Sequence, residues 1–430
     1  MKIKIKNLKD IIAVSDDTKE CDSKTAFFLN DLNKKYLKSL DKSVKIMEAK
    51  EVASILEIDK IKIIGITGTN GKTTTAAAIY SILLDLGKKV ALQGTRGCFI
   101  NDKQVSPKGL TTPPVLESMS NIHQAVKEGC EFFVMEVSSH AIAQNRIEGL
   151  NFFLKVFTNV TQDHLDYHKS LEEYIKVKSS FFADESLKLI NKDENKITFN
   201  PENARTYGIE NPATYKILAY SLVDGISAAL AKIDKVYDFQ TSLHGFFNLY
   251  NILAAISSVD MLEVAPMEEI CEAVEGFGGV SGRMEIVSSD PLIIVDFAHT
   301  PDGMQKVLES MKERDIIVLF GAGGDRDRGK RAKMGFIASK YARKIIVTSD
   351  NPRSEEPELI IEDILQGIRK RDNLLVVSDR KEAIRKALEW QEKDEVLMIL
   401  GKGDESYQEI NGKKIPFSDK DTVLKNLQKL

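Results

Sequence analysis

The sequence predicts an α/β protein of three domains: a small mixed N-terminal domain, a central P-loop-type domain on a parallel sheet, and a C-terminal Rossmann-like domain. Three observations predict it. An apolar β-type run at Ile61–Ile66 leads through a glycine-rich bend into a helical pattern from Lys72. The runs Glu131–Val137 and Phe152–Asn159 have the near-continuous apolarity of strands buried on both faces. A second alternation of strands and helices begins near residue 290, after the turn-rich stretch Gly276–Gly282.

The boundaries come from these signals. Residues 1–58 carry weak strand patterns at Thr25–Leu29 and Ser43–Met47, and are too short to bury much core alone, so they are expected to pack on the central domain. Residues 59–280 hold the parallel-sheet pattern. Residues 281–430 carry apolar runs at Leu292–Phe297, Ile316–Phe320, Lys344–Thr348, Leu374–Val377 and Val396–Leu400. Helical periodicity fills the intervals Asp302–Glu313, Glu356–Arg371 and Lys381–Glu392.

Composition excludes several classes. A net charge of -4 over 430 residues offers no global attraction to nucleic acid. The N-terminus alternates Lys with Ile and has no apolar leader, and no run reaches the length of a membrane span, so no membrane association is expected. Cys21, Cys98, Cys130 and Cys271 are far apart, which argues against disulfides and zinc and fits a reducing cytosol. The chain reads as a soluble cytoplasmic protein.

The segment Gly65-Ile-Thr-Gly-Thr-Asn-Gly-Lys-Thr-Thr-Thr75 carries the sharpest chemical signal. A glycine-rich bend before a helix turns backbone N–H groups toward one point, where the helix dipole and Lys72 add positive charge suited to a polyphosphate. Thr73 is placed to offer a hydroxyl to phosphate-bound Mg²⁺. Strict P-loop spacing would need glycine at Ile66, so the loop is a shortened variant, and ATP is its expected ligand. Glu136 ends the next apolar run, where a carboxylate can reach Mg²⁺ directly or through water. The following run leads into Thr161-Gln-Asp-His164-Leu-Asp-Tyr-His168, a dense polar cluster. In the C-terminal series, polar motifs follow four strands: Asp296–Asp302, Gly321–Arg331, Asp350–Arg353 and Gly401–Glu405. The C-terminal edge of such a sheet is where ligands sit, which implies a second substrate pocket.

As a set these segments resemble the Mur ligases, ATP-dependent amide-forming enzymes of peptidoglycan precursor synthesis, over essentially the full length. Gly68-Thr69-Asn70-Gly71-Lys72-Thr73-Thr74 is similar to the family's ATP loop. Phe247-Asn248-Leu249-Tyr250-Asn251 and Gly282-Arg283-Met284-Glu285 are similar to two further signatures. Thr111-Thr112-Pro113 and Glu136–His140 resemble the branch that adds the third residue of the stem peptide.

The resemblance implies roles by residue. The N-terminal domain would bind the UDP-sugar, the central domain ATP and the C-terminal domain the incoming amino acid. Asn248, Arg283 and Asp296 would join the loop in holding ATP. One Mg²⁺ would be held by Thr73 and Glu136, and a second by His164 with a carbamylated Lys178. Thr111, Thr112, Ser138, Gln144 and Arg146 would bind UDP-N-acetylmuramoyl-L-alanyl-D-glutamate. Thr18 stands in Asp17-Thr18-Lys19, where the family usually carries Asp-Ser-Arg for uridine. Asp350-Asn351-Pro352-Arg353 has the form associated with meso-2,6-diaminopimelate, whose second carboxylate suits a guanidinium. Arg326 would add a cation, with Gly401 and Glu405 at the distal amino group. Asp404 departs from the family's usual His. A monomer is expected. The competing readings are an L-lysine-adding ligase, a folylpolyglutamate-synthase-like ligase, and a P-loop switch or motor ATPase.

Overall fold

The computed structural model describes residues 1–8, 10–163, 165–223, 225–369 and 372–428. Among these, the strands form sheets of four, 11, six and two strands. Lys62–Thr67 lies inside the 11-stranded sheet, between Phe152–Phe157 and Phe132–Glu136, and pairs parallel with both. Ile64 stands opposite Leu154 on one side and Val134 on the other. Parallel neighbours require crossovers, and the helices Lys72–Asp85 and Val115–Lys127 supply them. Val90–Gly94 extends the parallel set on one side, while Leu187–Asn191, Ala204–Gly208 and Tyr215–Ser221 extend it on the other. Ile226–Lys232 then pairs antiparallel with Tyr215–Ser221, and Lys235–Thr241 closes that edge. These last strands alternate apolar and polar residues on a half-exposed sheet, and the sequence pattern did not place them.

The first 58 residues form the four-stranded sheet Lys2–Leu8, Ile11–Ser15, Thr25–Phe28 and Ile46–Met47. Val14, Phe28, Met47 and Val52 belong to the same apolar cluster as Leu116, Met119 and Phe133. This segment therefore shares a core with the 11-stranded sheet, as its size predicts.

The six-stranded sheet runs Glu285–Ser289, Leu292–Asp296, Glu395–Leu400, Asp315–Phe320, Lys344–Val347, Leu374–Val376. Its first pair is antiparallel and the other neighbours are parallel. One face packs on Met304, Leu308, Met334 and Ile364, the other on Ile384, Ala387 and Val423. Helices on both faces make it doubly wound. The helix expected over Glu356–Arg371 ends at Leu365, before Gln366-Gly367, because glycine weakens helix continuation.

Two compact units divide the chain. Residues 1–221, 227–241 and 249–277 form one, and residues 222–226, 242–248 and 278–430 the other. The main division falls inside the turn-rich stretch Gly276–Gly282. Among the described residues no helix is long and apolar enough to cross a membrane.

Candidate active site

In the first unit the glycine-rich loop leaves the strand at Thr67 and enters the helix at Lys72. Gly71 caps that helix with φ of +84°, a left-handed conformation that a side chain would strain, and a Cβ there would lie 2.2 Å from Asn251 Oδ1. The neighbouring strand end holds the loop in place. Thr69 N donates to Asn159 O at 2.8 Å, Asn70 N to Asn159 Oδ1 at 2.9 Å, and Thr158 Oγ1 to Asn70 O at 2.7 Å. Lys72 Nζ rests on the loop's own carbonyls, 2.7 Å from Gly68 O and 2.9 Å from Thr69 O. Its charge is thus stationed at the loop.

Beside the loop, Thr73 Oγ1 donates to Glu136 Oε2 at 2.8 Å, and Glu136 is buried. Thr95 N donates to Glu136 Oε1 at 2.9 Å, and Thr95 Oγ1 lies 3.3 Å from Oε2 and 3.1 Å from Thr111 Oγ1. A hydroxyl and a carboxylate side by side next to a phosphate-type loop are hard oxygen donors of the kind Mg²⁺ takes. The residues fit the ion. Among the described residues no group of three or more His, Cys, Asp or Glu side chains could hold a metal.

Lys178 lies on the helix Leu171–Ser180 and is 1% exposed. Its Nζ is 3.5 Å from Thr67 Oγ1 and 4.7 Å from the centre of the Tyr174 ring. Burial, reinforced by the charge of Lys72 and opposed by Asp163, holds its pKa well below that of an ordinary lysine. Its amine therefore gives up its proton more readily than that of an ordinary lysine.

A second polar group sits past Glu136. Thr112 Oγ1 donates to Glu136 O at 2.9 Å and accepts from Ser138 N at 2.9 Å. Ser138 caps the short helix Ser139–Ala143. Arg146 Nη1 donates to Thr112 O at 3.0 Å and Nε to Gln144 Oε1 at 2.9 Å. Thr111, Thr112, Ser138, Gln144 and Arg146 are thus brought together. Thr18 opens a one-turn 3-10 helix, Thr18–Glu20, on the four-stranded sheet.

In the second unit, the strands ending at Asp296, Leu400, Phe320 and Val347 are consecutive, parallel neighbours. All four polar motifs consequently line one sheet edge. Asp296 is buried and accepts from Met284 N and Ala298 N, both at 2.7 Å. Burial raises its pKa, partly offset by Arg283, whose guanidinium stacks 4.4 Å from the centre of the Phe297 ring. Asn248 is buried, and its Nδ2 donates to His244 O at 2.9 Å.

Arg353 occupies a left-handed backbone position with φ of +53°. Nη1 donates to Gly324 O at 2.7 Å and Nε faces Glu409 Oε2 at 3.3 Å. A Cβ on Gly323 would lie 2.9 Å from Arg353 Nη1 and 3.7 Å from Arg326 Cγ, so the two arginines flank one glycine. Arg326 is exposed. The hairpin Tyr407–Ile410/Lys413–Pro416 grips the same segment. Gln408 Nε2 donates to Ser349 Oγ and Asp350 O, Arg353 N to Glu409 O, and Asn411 N to Arg353 O.

Residues 66–259 match the Mur ligase middle domain and residues 282–403 the Mur ligase, glutamate ligase domain. A UDP-N-acetylmuramoyl-L-alanyl-D-glutamate--2,6-diaminopimelate ligase of Wolinella succinogenes is 56% identical over 96% of this chain and 96% of its own length. One from Helicobacter pylori is 52% identical over 95% and 94%. The chain belongs to the Mur ligase family. A solved diaminopimelate ligase structure, 28% identical, superposes with a TM-score of 0.70 over 97% of this chain and 94% of that one.

Several residues of this Mur ligase carry no signal in the sequence. Thr95 holds Glu136 from a strand end with no recognisable pattern. Asn159 and Tyr174 brace the loop, Tyr174 through Thr69 Oγ1 at 3.0 Å. Lys402 and Glu409 brace the Asp350–Arg353 segment, Lys402 from within a motif whose glycine and glutamate stand out more. His164 lies outside the described residues.

Proposed function

We propose that this chain joins meso-2,6-diaminopimelate to the side-chain carboxylate of D-glutamate in UDP-N-acetylmuramoyl-L-alanyl-D-glutamate, with ATP and Mg²⁺, as a cytoplasmic monomer. The observation that carries the specificity is the Arg353–Arg326 pair flanking Gly323. Arg353 Nη2 and the Arg326 guanidinium have no hydrogen bond or ion pair among the described residues. Two available guanidinium edges suit a carboxylate that diaminopimelate has and lysine lacks.

A carboxylate cannot exchange its oxygen for an amine directly, because oxide is a hopeless leaving group. Phosphorylation by ATP makes an acyl phosphate, the amine adds to its carbonyl carbon, and phosphate leaves with the C–O bond electrons. Gly68–Thr74 would cradle the phosphates, and Lys72 would offset the charge of two approaching anions. Asn248, Arg283 and Asp296 would hold the rest of the nucleotide. Mg²⁺, held by Thr73 and Glu136, would supply further charge neutralisation.

Residues 1–58 with Thr18 are assigned the UDP end, and residues 59–280 the nucleotide site with Thr111, Thr112, Ser138, Gln144 and Arg146 at the sugar-peptide. Residues 281–430 are assigned the amino acid through Arg326, Asp350, Asn351, Pro352, Arg353, Gly401 and Glu405. Lys178 is proposed to carry a carbamate: its neutral amine adds to CO₂, an N–C bond forms, and one proton leaves. The buried amine supports this, since the product is an anion beside Lys72. With His164 it would serve a second Mg²⁺.

The test is turnover of purified protein with ATP, the UDP-sugar dipeptide and each amino acid. Efficient use of diaminopimelate with poor use of L-lysine is expected; equal or better use of L-lysine overturns the specificity.

A further inference from the structure

Lys402 is fully buried, and its ammonium is committed to two partners. Nζ lies 2.8 Å from Glu405 Oε2 and 3.0 Å from Asn351 Oδ1. Asn351 closes the triangle, since its Nδ2 donates to the same Glu405 Oε2 at 2.8 Å. Asn351 Oδ1 also accepts from Glu409 N at 2.9 Å, so both ends of the amide are assigned by their neighbours.

The consequence falls on Glu405. Its Oε2 receives two donors, whereas Oε1 receives none from the described residues, and the side chain keeps 15% exposure. Asp350 nearby is a buried carboxylate that likewise accepts no side-chain or backbone bond from the described residues. Arg380 and Asp419, both fully buried, satisfy each other through two 2.8 Å contacts. Lys402 and Arg380 therefore face three carboxylates, those of Glu405, Asp350 and Asp419.

We propose that Lys402 is a positioning residue for amino-acid recognition. It ties down one oxygen of Glu405 so that the other is presented, without rotational freedom, to an amino group of the incoming amino acid. The benefit is preorganisation: a carboxylate already fixed in its binding rotamer loses less freedom when the ligand arrives. The proposal rests on the reading that this edge holds the amino acid.

The test is a double-mutant cycle on the full chain with K402M and E405Q. K402M is expected to raise KM for diaminopimelate about tenfold, with kcat and the KM values for ATP and the UDP-sugar dipeptide within about threefold of wild type. In the E405Q background, adding K402M is expected to raise that KM no further, because Lys402 acts through Glu405. Equal multiplication of KM in both backgrounds overturns the proposal, as does a parallel rise for all three substrates. If K402M fails to melt cooperatively, K402Q, which stays polar in the buried site but lacks the ammonium that holds Glu405 Oε2, is run through the same cycle under the same criteria. Should wild type turn over only L-lysine, the specificity reading fails, and the cycle in KM for L-lysine still decides the role of Lys402.

Discussion

The Thr73 hydroxyl donates to the Glu136 carboxylate across 2.8 Å, joining the first turn of one helix to the end of the adjacent strand. Sixty-three positions separate the two residues, and the parallel pairing of Lys62–Thr67 with Phe132–Glu136 brings them together. Glu136→Gln keeps the shape and removes the charge. Activity is expected to fall by about two orders of magnitude or more, with the Mg²⁺ concentration for half-maximal rate shifted upward. A Mg²⁺ titration of initial rates checks this, and an unchanged midpoint would remove Glu136 from the ion.

Thr95 supports the same carboxylate through its backbone and its hydroxyl. Thr95→Val retains the backbone bond and loses the hydroxyl. A rise in the Mg²⁺ requirement smaller than that of Glu136→Gln is expected, with a stability loss of about 1 kcal/mol by urea denaturation.

Lys178→Ala is expected to be nearly inactive, with partial recovery on adding short carboxylic acids that can stand in for a carbamate. Wild-type turnover in this variant would exclude the role. Mass spectrometry of the intact chain at high bicarbonate gives a second readout.

Arg353→Lys exchanges a planar fork for a point charge between Gly324 O and Glu409. The expected loss in kcat/KM for diaminopimelate is about 2–3 kcal/mol, concentrated in KM, while turnover with L-lysine changes little. Parallel kinetics with the two amino acids decide it.

Asp193 offers a pH prediction. Partial burial works to raise its pKa, but the N–H groups of Ile209, Glu210 and Asn211 and the Tyr250 hydroxyl outweigh it and hold the value at about 2, against an ordinary 3.8. A carboxyl with a depressed folded-state pKa stabilises fully above its unfolded value and loses that contribution as pH falls through the folded one. Asp193→Asn is expected to cost about 1 kcal/mol at neutral pH, kept small by solvent access. Urea midpoints of the two proteins should converge between about pH 4 and pH 2.

The parallel strands were legible because strands buried on both faces must be apolar throughout. Lys62–Thr67, Phe132–Glu136 and the C-terminal series match their apolar runs within a residue or two at most ends. Tyr215–Thr241 and the Tyr407–Pro416 hairpin were not legible, since half-exposed short strands alternate weakly and resemble loops.

The sequence by itself determined the phosphate-type loop, the order of the strand-end motifs and the family they resemble, because these depend on residue type at short spacing. Only the tertiary structure decided which strand ends are neighbours, that Thr95 braces Glu136, that Lys178 is buried beside Lys72's charge, and that Lys402 takes one oxygen of Glu405. Each of these contacts joins residues through sheet order or through burial. Neither is encoded in local spacing, because both arise from how the whole apolar surface is packed away from water.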